Sequence, residues 1–134
     1  MKKLLVLLFS FVLLFASPIK AETVLYCQSE LATGISKSSG TWKEANFEKK
    51  RFTIKFNNDY TRLEGISFDT MDCKAPYTNM KNLIFCVQSN YNHSTLRYNT
   101  KTRRFVHYAN PAEGYVETSK TDTDVIYAGT CKAF

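Results

Sequence analysis

Apolar and polar side chains alternate with a period of two through most of residues 22–134, the pattern of strands with one dry face and one wet face. It is cleanest at Arg51 to Asn57, where Phe52, Ile54 and Phe56 point one way and Arg51, Thr53 and Lys55 the other. Thr23 to Ser29 opens the series, and Asn57-Asn58-Asp59 turns the chain into Tyr60 to Ile66. Ser94 to Asn99 and Arg104 to Tyr108 flank Thr100-Lys101-Thr102-Arg103, a polar stretch suited to a hairpin turn. Gly114 to Thr118 and Asp124 to Cys131 finish the set. Leu83 to Gln88 reads as a continuous apolar run, which predicts a central strand covered on both faces. Thr41 to Lys50 alone carries helical residue types. Trp42 and Phe47 stand five apart there and fit neither period, so one short helix or an irregular loop is expected. About eight short strands at this spacing predict an all-β domain, either a small antiparallel β-sandwich or a closed barrel.

Residues 1–21 read as an address. Lys2 and Lys3 precede an apolar run from Leu4 to Ala16, broken only by Ser10, and Pro18 and Lys20 close it before Ala21. A charged start, an apolar middle and a small residue at the end predict a secretory signal peptide, with cleavage after Ala21 or, second, Ala16. The run falls short of the roughly 20 apolar residues of a membrane-spanning helix. The first cysteine, Cys27, follows Tyr26, which does not suit lipid attachment at the cleavage point. Residues 22–134 are expected to form one domain, periplasmic or secreted, with no membrane span once the leader is removed. The short Lys-rich start suggests a bacterial Sec substrate.

The leader carries Lys2, Lys3 and Lys20 and no acid. Residues 22–134 therefore hold 15 basic against 12 acidic side chains, a balance of +3 rather than +6. That is too mild a field to give a strong nucleic-acid signal.

Cys27, Cys73, Cys86 and Cys131 make an even number for an oxidising compartment, and two disulfides are expected. A four-cysteine zinc site lacks any C-x-x-C pair to supply its close ligands. Cys73 and Cys86 bracket the turn-rich Lys74-Ala75-Pro76-Tyr77-Thr78-Asn79, while Cys27 and Cys131 lie in the first and last apolar stretches. Of three connectivities, this arrangement favours 73–86 with 27–131. The second bridge would join neighbouring strands and help to close the sheet.

The run Cys27…Ala32-Thr33-Gly34-Ile35, Gly40-Thr41-Trp42-Lys43, Asn46-Phe47 and Arg51-Phe52-Thr53-Ile54-Lys55-Phe56 spans the first half. Leu96-Arg97-Tyr98-Asn99, Arg104-Phe105, Gly114-Tyr115, Asp122-Thr123 and Gly129-Thr130-Cys131 continue it in the second. Together they resemble small exported proteins of Gram-negative bacteria and their phages that carry no assigned activity. The resemblance implies an exported, disulfide-linked β domain and no catalytic residues.

Chemistry-bearing motifs are sparse. No Gly-x-Ser-x-Gly elbow is present, and the cysteines are assigned to disulfides, which leaves nucleophilic catalysis without a candidate. Asp69 with Asp72 and Asp122 with Asp124 lack the loop spacing of a calcium site, so neither metal nor cofactor is implied. His93 and His107 are the only histidines. Two imidazoles beside Lys101, Arg103 and Arg104 suggest, as the alternative, a ribonuclease-like phosphodiester hydrolase. The plainer expectation puts His93 in a polar loop and His107 on the surface of a strand. The basic runs Lys49-Lys50-Arg51 and Lys101-Thr102-Arg103-Arg104 suit an acidic partner or an envelope component if they cluster in space. Tyr77, Tyr91, Tyr108 and Tyr115 sit in or beside polar segments and are candidates for binding aromatics. The leading functional expectation is a non-enzymatic binding or interaction domain. Its candidate contacts are Lys101, Arg103, Arg104, Tyr91 and Tyr108, with loops near residues 74–82, 89–94 and 109–114. Small inhibitor-like barrels belong to this class, although a basic balance argues against a basic lysozyme as target.

Overall fold

The computed structural model describes residues 22–38, 40–66, 69–88, 94–109, 115 and 123–134. Nine strands run through them: β1 (Thr23–Ser38), β2 (Thr41–Asn46), β3 (Arg51–Phe56), β4 (Arg62–Ile66), β5 (Asp69–Lys74), β6 (Leu83–Gln88), β7 (Thr95–Asn99), β8 (Arg104–Ala109) and β9 (Thr123–Ala133). Each strand from β3 to β8 pairs antiparallel with the next, and β1 closes the ring by pairing with both β3 and β9. Eight strands therefore form a closed antiparallel barrel, with β2 as a ninth. Closure leaves the eight with no open edge along the ring, which is how a small β domain avoids edge-to-edge association.

The length of β1 makes this possible. Its 16 residues reach roughly 50 Å when extended, enough to take two partners along one edge. Thr23 to Gln28 pair with β3 and Thr33 to Ser38 pair with β2, while the other edge follows β9 from Leu25 to Ser36. The break between β2 and β3 is stitched to β1. Phe47 N–H donates to the Ala32 carbonyl at 3.0 Å, Ser29 N–H to the Lys50 carbonyl at 2.9 Å, and Lys50 N–H to Ser29 Oγ at 2.6 Å.

Two glycines set the β1–β9 seam. A Cβ on Gly129 would run into the Gln28 carbonyl oxygen, and one on Gly34 into that of Asp124. The backbones approach more closely at these points than any side chain allows. Beside them Cys27 and Cys131 stand directly opposite one another and are bonded; Cys73 and Cys86 do the same across β5 and β6. Both bridges are buried, and they mark a protein that matures in an oxidising compartment. The rest of the interior is filled by side chains that include Leu25, Ile54, Phe56, Leu63, Met71, Leu96 and Phe105.

Three expectations are corrected. Thr41 to Lys50 is neither helix nor irregular loop throughout, because β2 extends along the free length of β1 and the ladder overrides helical residue types. Leu83 to Gln88 is not covered on both faces. Ile84, Cys86 and Gln88 are buried inside, whereas Leu83, Phe85 and Val87 are half-buried outside, since a barrel has only one interior. His107 is not on the surface, as described below. The strand expected at Gly114 to Thr118 lies outside the described residues, Tyr115 excepted.

Candidate binding groove on the outer wall

Among the described residues the interior is filled by side chains, which leaves the outer wall and the rim as binding surfaces. The register draws one line of outward residues across six strands: Lys74, Phe85, Arg97, Val106, Ala128 and Leu31, each directly opposite the next. Opposed residues on one face have their Cβ atoms about 5 Å apart, so the line acts as one continuous surface. Leu31 joins it through an irregularity. The β1–β9 register shifts between Ser29 and Leu31, and the consecutive residues Glu30 and Leu31 both face out while Ser29 and Ala32 are buried. Re-aiming a side chain in this way is the usual effect of a β-bulge. Leu31 is left 66% exposed and Val106 44% exposed, large apolar groups with water on one side.

A groove of about 470 Å³ lies along this line, floored by Leu31, Leu83, Val106 and Ala128 and lined by Glu30, Arg97 and Arg104. A neighbouring hollow of about 230 Å³ shares Leu83 and Arg97 and adds Lys74, Pro76, Tyr77 and Phe85. Arg97 forms the wall between the two. Its guanidinium lies over the Phe85 ring, 5.7 Å from the centroid, which orients the head and covers an outward aromatic. Arg104 stands two residues before Val106, the partner of Arg97, so the two arginines are diagonal neighbours about 7–8 Å apart at their bases. Neither makes an ion pair among the described residues. Glu30 accepts a hydrogen bond from the Thr130 hydroxyl at 3.0 Å. The two linings contain no histidine, cysteine or serine. They offer cationic and apolar contact, with a single carboxylate.

The expected contact residues divide. Arg104 enters the groove. Lys101 and Arg103 stay on the exposed β7–β8 turn, where Asn99 Oδ1 accepts from Lys101 N–H and Thr102 N–H at 2.9 Å each and Arg103 adopts φ 58°. Tyr108 is half-buried and donates its hydroxyl to Asp124 Oδ2 at 2.6 Å, a contact that holds β8 to β9. Tyr91 and His93 lie outside the described residues, as do residues 89–93 and 110–114 of the expected binding loops. The third loop is described, and it exposes Tyr77 and Met80. The two basic runs do not merge. Arg51, Gln28, Thr130 and Arg104 form one transverse row, which places the arginines about 14 Å apart with the Glu30–Thr130 pair on the intervening surface.

His107 points inward and is 5% exposed. Its ring stacks on Tyr127, with centroids 6.0 Å apart, and meets Phe52 edge-on. Ser94 Oγ lies 2.8 Å from Nε2 and donates to the Tyr108 carbonyl at 3.0 Å. With the one hydroxyl proton so placed, Nε2 carries the proton and donates to Ser94. Burial, then the nearby Lys50 charge, lowers the imidazole to about 4, so it is neutral at physiological pH. A polar residue type suggested the surface, but its parity with Phe105 places it inside.

Arg97, Leu31, Val106 and Phe85 were not singled out by the sequence. Val106 and Phe85 carried a signal, being apolar residues on the outward parity of their strands. Comparison with protein-family models, with curated proteins and with solved structures finds no match to the chain.

Proposed function

We propose that the domain is a non-enzymatic binding module, exported to the periplasm or the cell exterior after loss of residues 1–21, that holds an acidic partner on its outer wall. One observation carries this reading: Arg97 and Arg104, without an ion pair among the described residues, flank an apolar groove on the outside of a barrel whose interior is filled. Arginine beside exposed apolar side chains is the composition of interaction surfaces, where a guanidinium gives direction and apolar area gives affinity. The +3 balance of residues 22–134 favours approach of an acidic partner.

Affinity capture from envelope extract tests the reading. Wild-type protein is expected to retain a partner that Val106→Glu loses and Lys43→Glu, altered on β2, keeps. Equal capture by all three proteins argues against the groove. Cleavage of RNA by wild-type protein but not by a His93→Ala, His107→Ala double variant would replace the binding reading with the hydrolase alternative.

A further inference from the structure

We infer that the groove takes an extended acidic segment of a protein, about six residues long, in which one carboxylate is flanked by apolar side chains; this rests on the outer-wall reading above. Length comes from the register. From Leu31 through Ala128, Val106 and Arg97 to Phe85 there are four strand intervals, a path of roughly 19 Å along the curved wall, which an extended chain following it covers in about six residues. The order of chemistry comes from the same line. Leu31 and Val106 give apolar surface at one end and Phe85 and Tyr77 at the other; Arg97 stands between them on the line, and Arg104 stands beside it, two residues along β8 from Val106.

Charge selects the anion. Around the two arginines the groove sets two guanidinium groups against the Glu30 carboxylate, a local surplus of one positive charge, and Lys74 adds a separate cation beyond Phe85 in the adjoining hollow. The local surplus matches one carboxylate at the arginines, whose two oxygens accept from their forked donors. A polyanion would bring further charges against Glu30. Exposed Tyr77 in the adjoining hollow, with the arginines, matches the residue types enriched at protein interfaces.

The test pans a random dodecapeptide phage library on the purified, oxidised domain. The expected consensus places one aspartate or glutamate within two positions of apolar residues on both sides. A synthetic consensus peptide, followed by fluorescence anisotropy, is expected to bind at least tenfold more weakly to Arg97→Ala and to Arg104→Ala, with unchanged circular dichroism. Asparagine in place of the acid produces the same loss, and affinity falls as salt rises. Phosphatidylglycerol vesicles and inorganic phosphate are expected not to compete. No enrichment, a consensus without an acid, or vesicle binding that depends on Arg97 each overturns the inference. If such peptides still lose binding to Val106→Glu, the groove stands as a site and only its ligand is wrong; if they do not, both readings fall.

Discussion

The Arg97 guanidinium rests over the Phe85 ring from the directly opposed position on the neighbouring strand, 5.7 Å from its centroid. The pair does two things. It shields an outward phenylalanine that the barrel cannot bury, and it holds a cation at the wall between two hollows.

A double-mutant cycle on Phe85→Leu and Arg97→Ala, read by urea unfolding, is expected to give a coupling of about 0.5–1 kcal/mol. Arg97→Ala alone is expected to cost less than about 1 kcal/mol, since the side chain is exposed. Strictly additive effects would mean that the stacking does not contribute.

The two disulfides close loops of very different length, with sequence separations of 104 and 13 residues. On the chain-entropy account the long loop contributes about 4.7 kcal/mol and the short one about 3 kcal/mol. Replacing Cys27 and Cys131 by Ala is therefore expected to lower stability more than replacing Cys73 and Cys86. Against a total of about 5–15 kcal/mol, the first variant comes close to unfolding. Urea midpoints rank the two, and a reversed order contradicts the argument.

Gly129→Ala is expected to cost about 3 kcal/mol, because the added methyl meets the Gln28 carbonyl and the Ser29 backbone on β1, not a movable side chain. Gly40 offers the contrast. Its φ is 82° and nothing lies within 4 Å of a Cβ there, so Gly40→Ala is expected to cost only about 1 kcal/mol of backbone strain. Thermal unfolding of the two variants separates crowding from strain; similar losses would remove the close-approach account of the seam.

His107 makes stability depend on pH. Its folded value of about 4 lies below the ~6.5 of an exposed imidazole. Between those values the unfolded chain binds a proton that the folded chain refuses. The contribution is fully present above about pH 6.5 and is lost as pH falls towards 4, amounting to about 3 kcal/mol. His107→Phe is expected to flatten this part of the profile. Urea unfolding of both proteins at pH 7 and pH 4.5 checks it, and parallel profiles would show that His107 is not the group responsible.

Much of the fold was legible because a strand's parity is local. Phe52, Ile54 and Phe56 announced an inward face, and Leu96, Phe105 and Val125 each sit inside as alternation requires. Parity also placed His107 inside, where residue type misled. β5 escaped notice because Met71 and Cys73 are its only buried apolar residues between exposed neighbours. β2 escaped because its residue types favour helix, and only a ladder with the distal half of β1 decides otherwise. The groove was not legible at all as a unit, since its residues come from positions 30 to 129 with no shared local pattern.

Sequence alone determined the strand-rich class and the inward face of Arg51 to Phe56, and it favoured, by turn and terminus, the cysteine pairing that the structure shows. Tertiary structure decided which outward residues became neighbours. That depends on register around a closed ring, set where β1 meets β9 by a bulge at Glu30, two side-chain-free approaches at Gly34 and Gly129, and the bond between Cys27 and Cys131. A shift of one residue in a strand would turn its outward side chains inward, so the line from Phe85 to Leu31 exists only in the register these strands adopt.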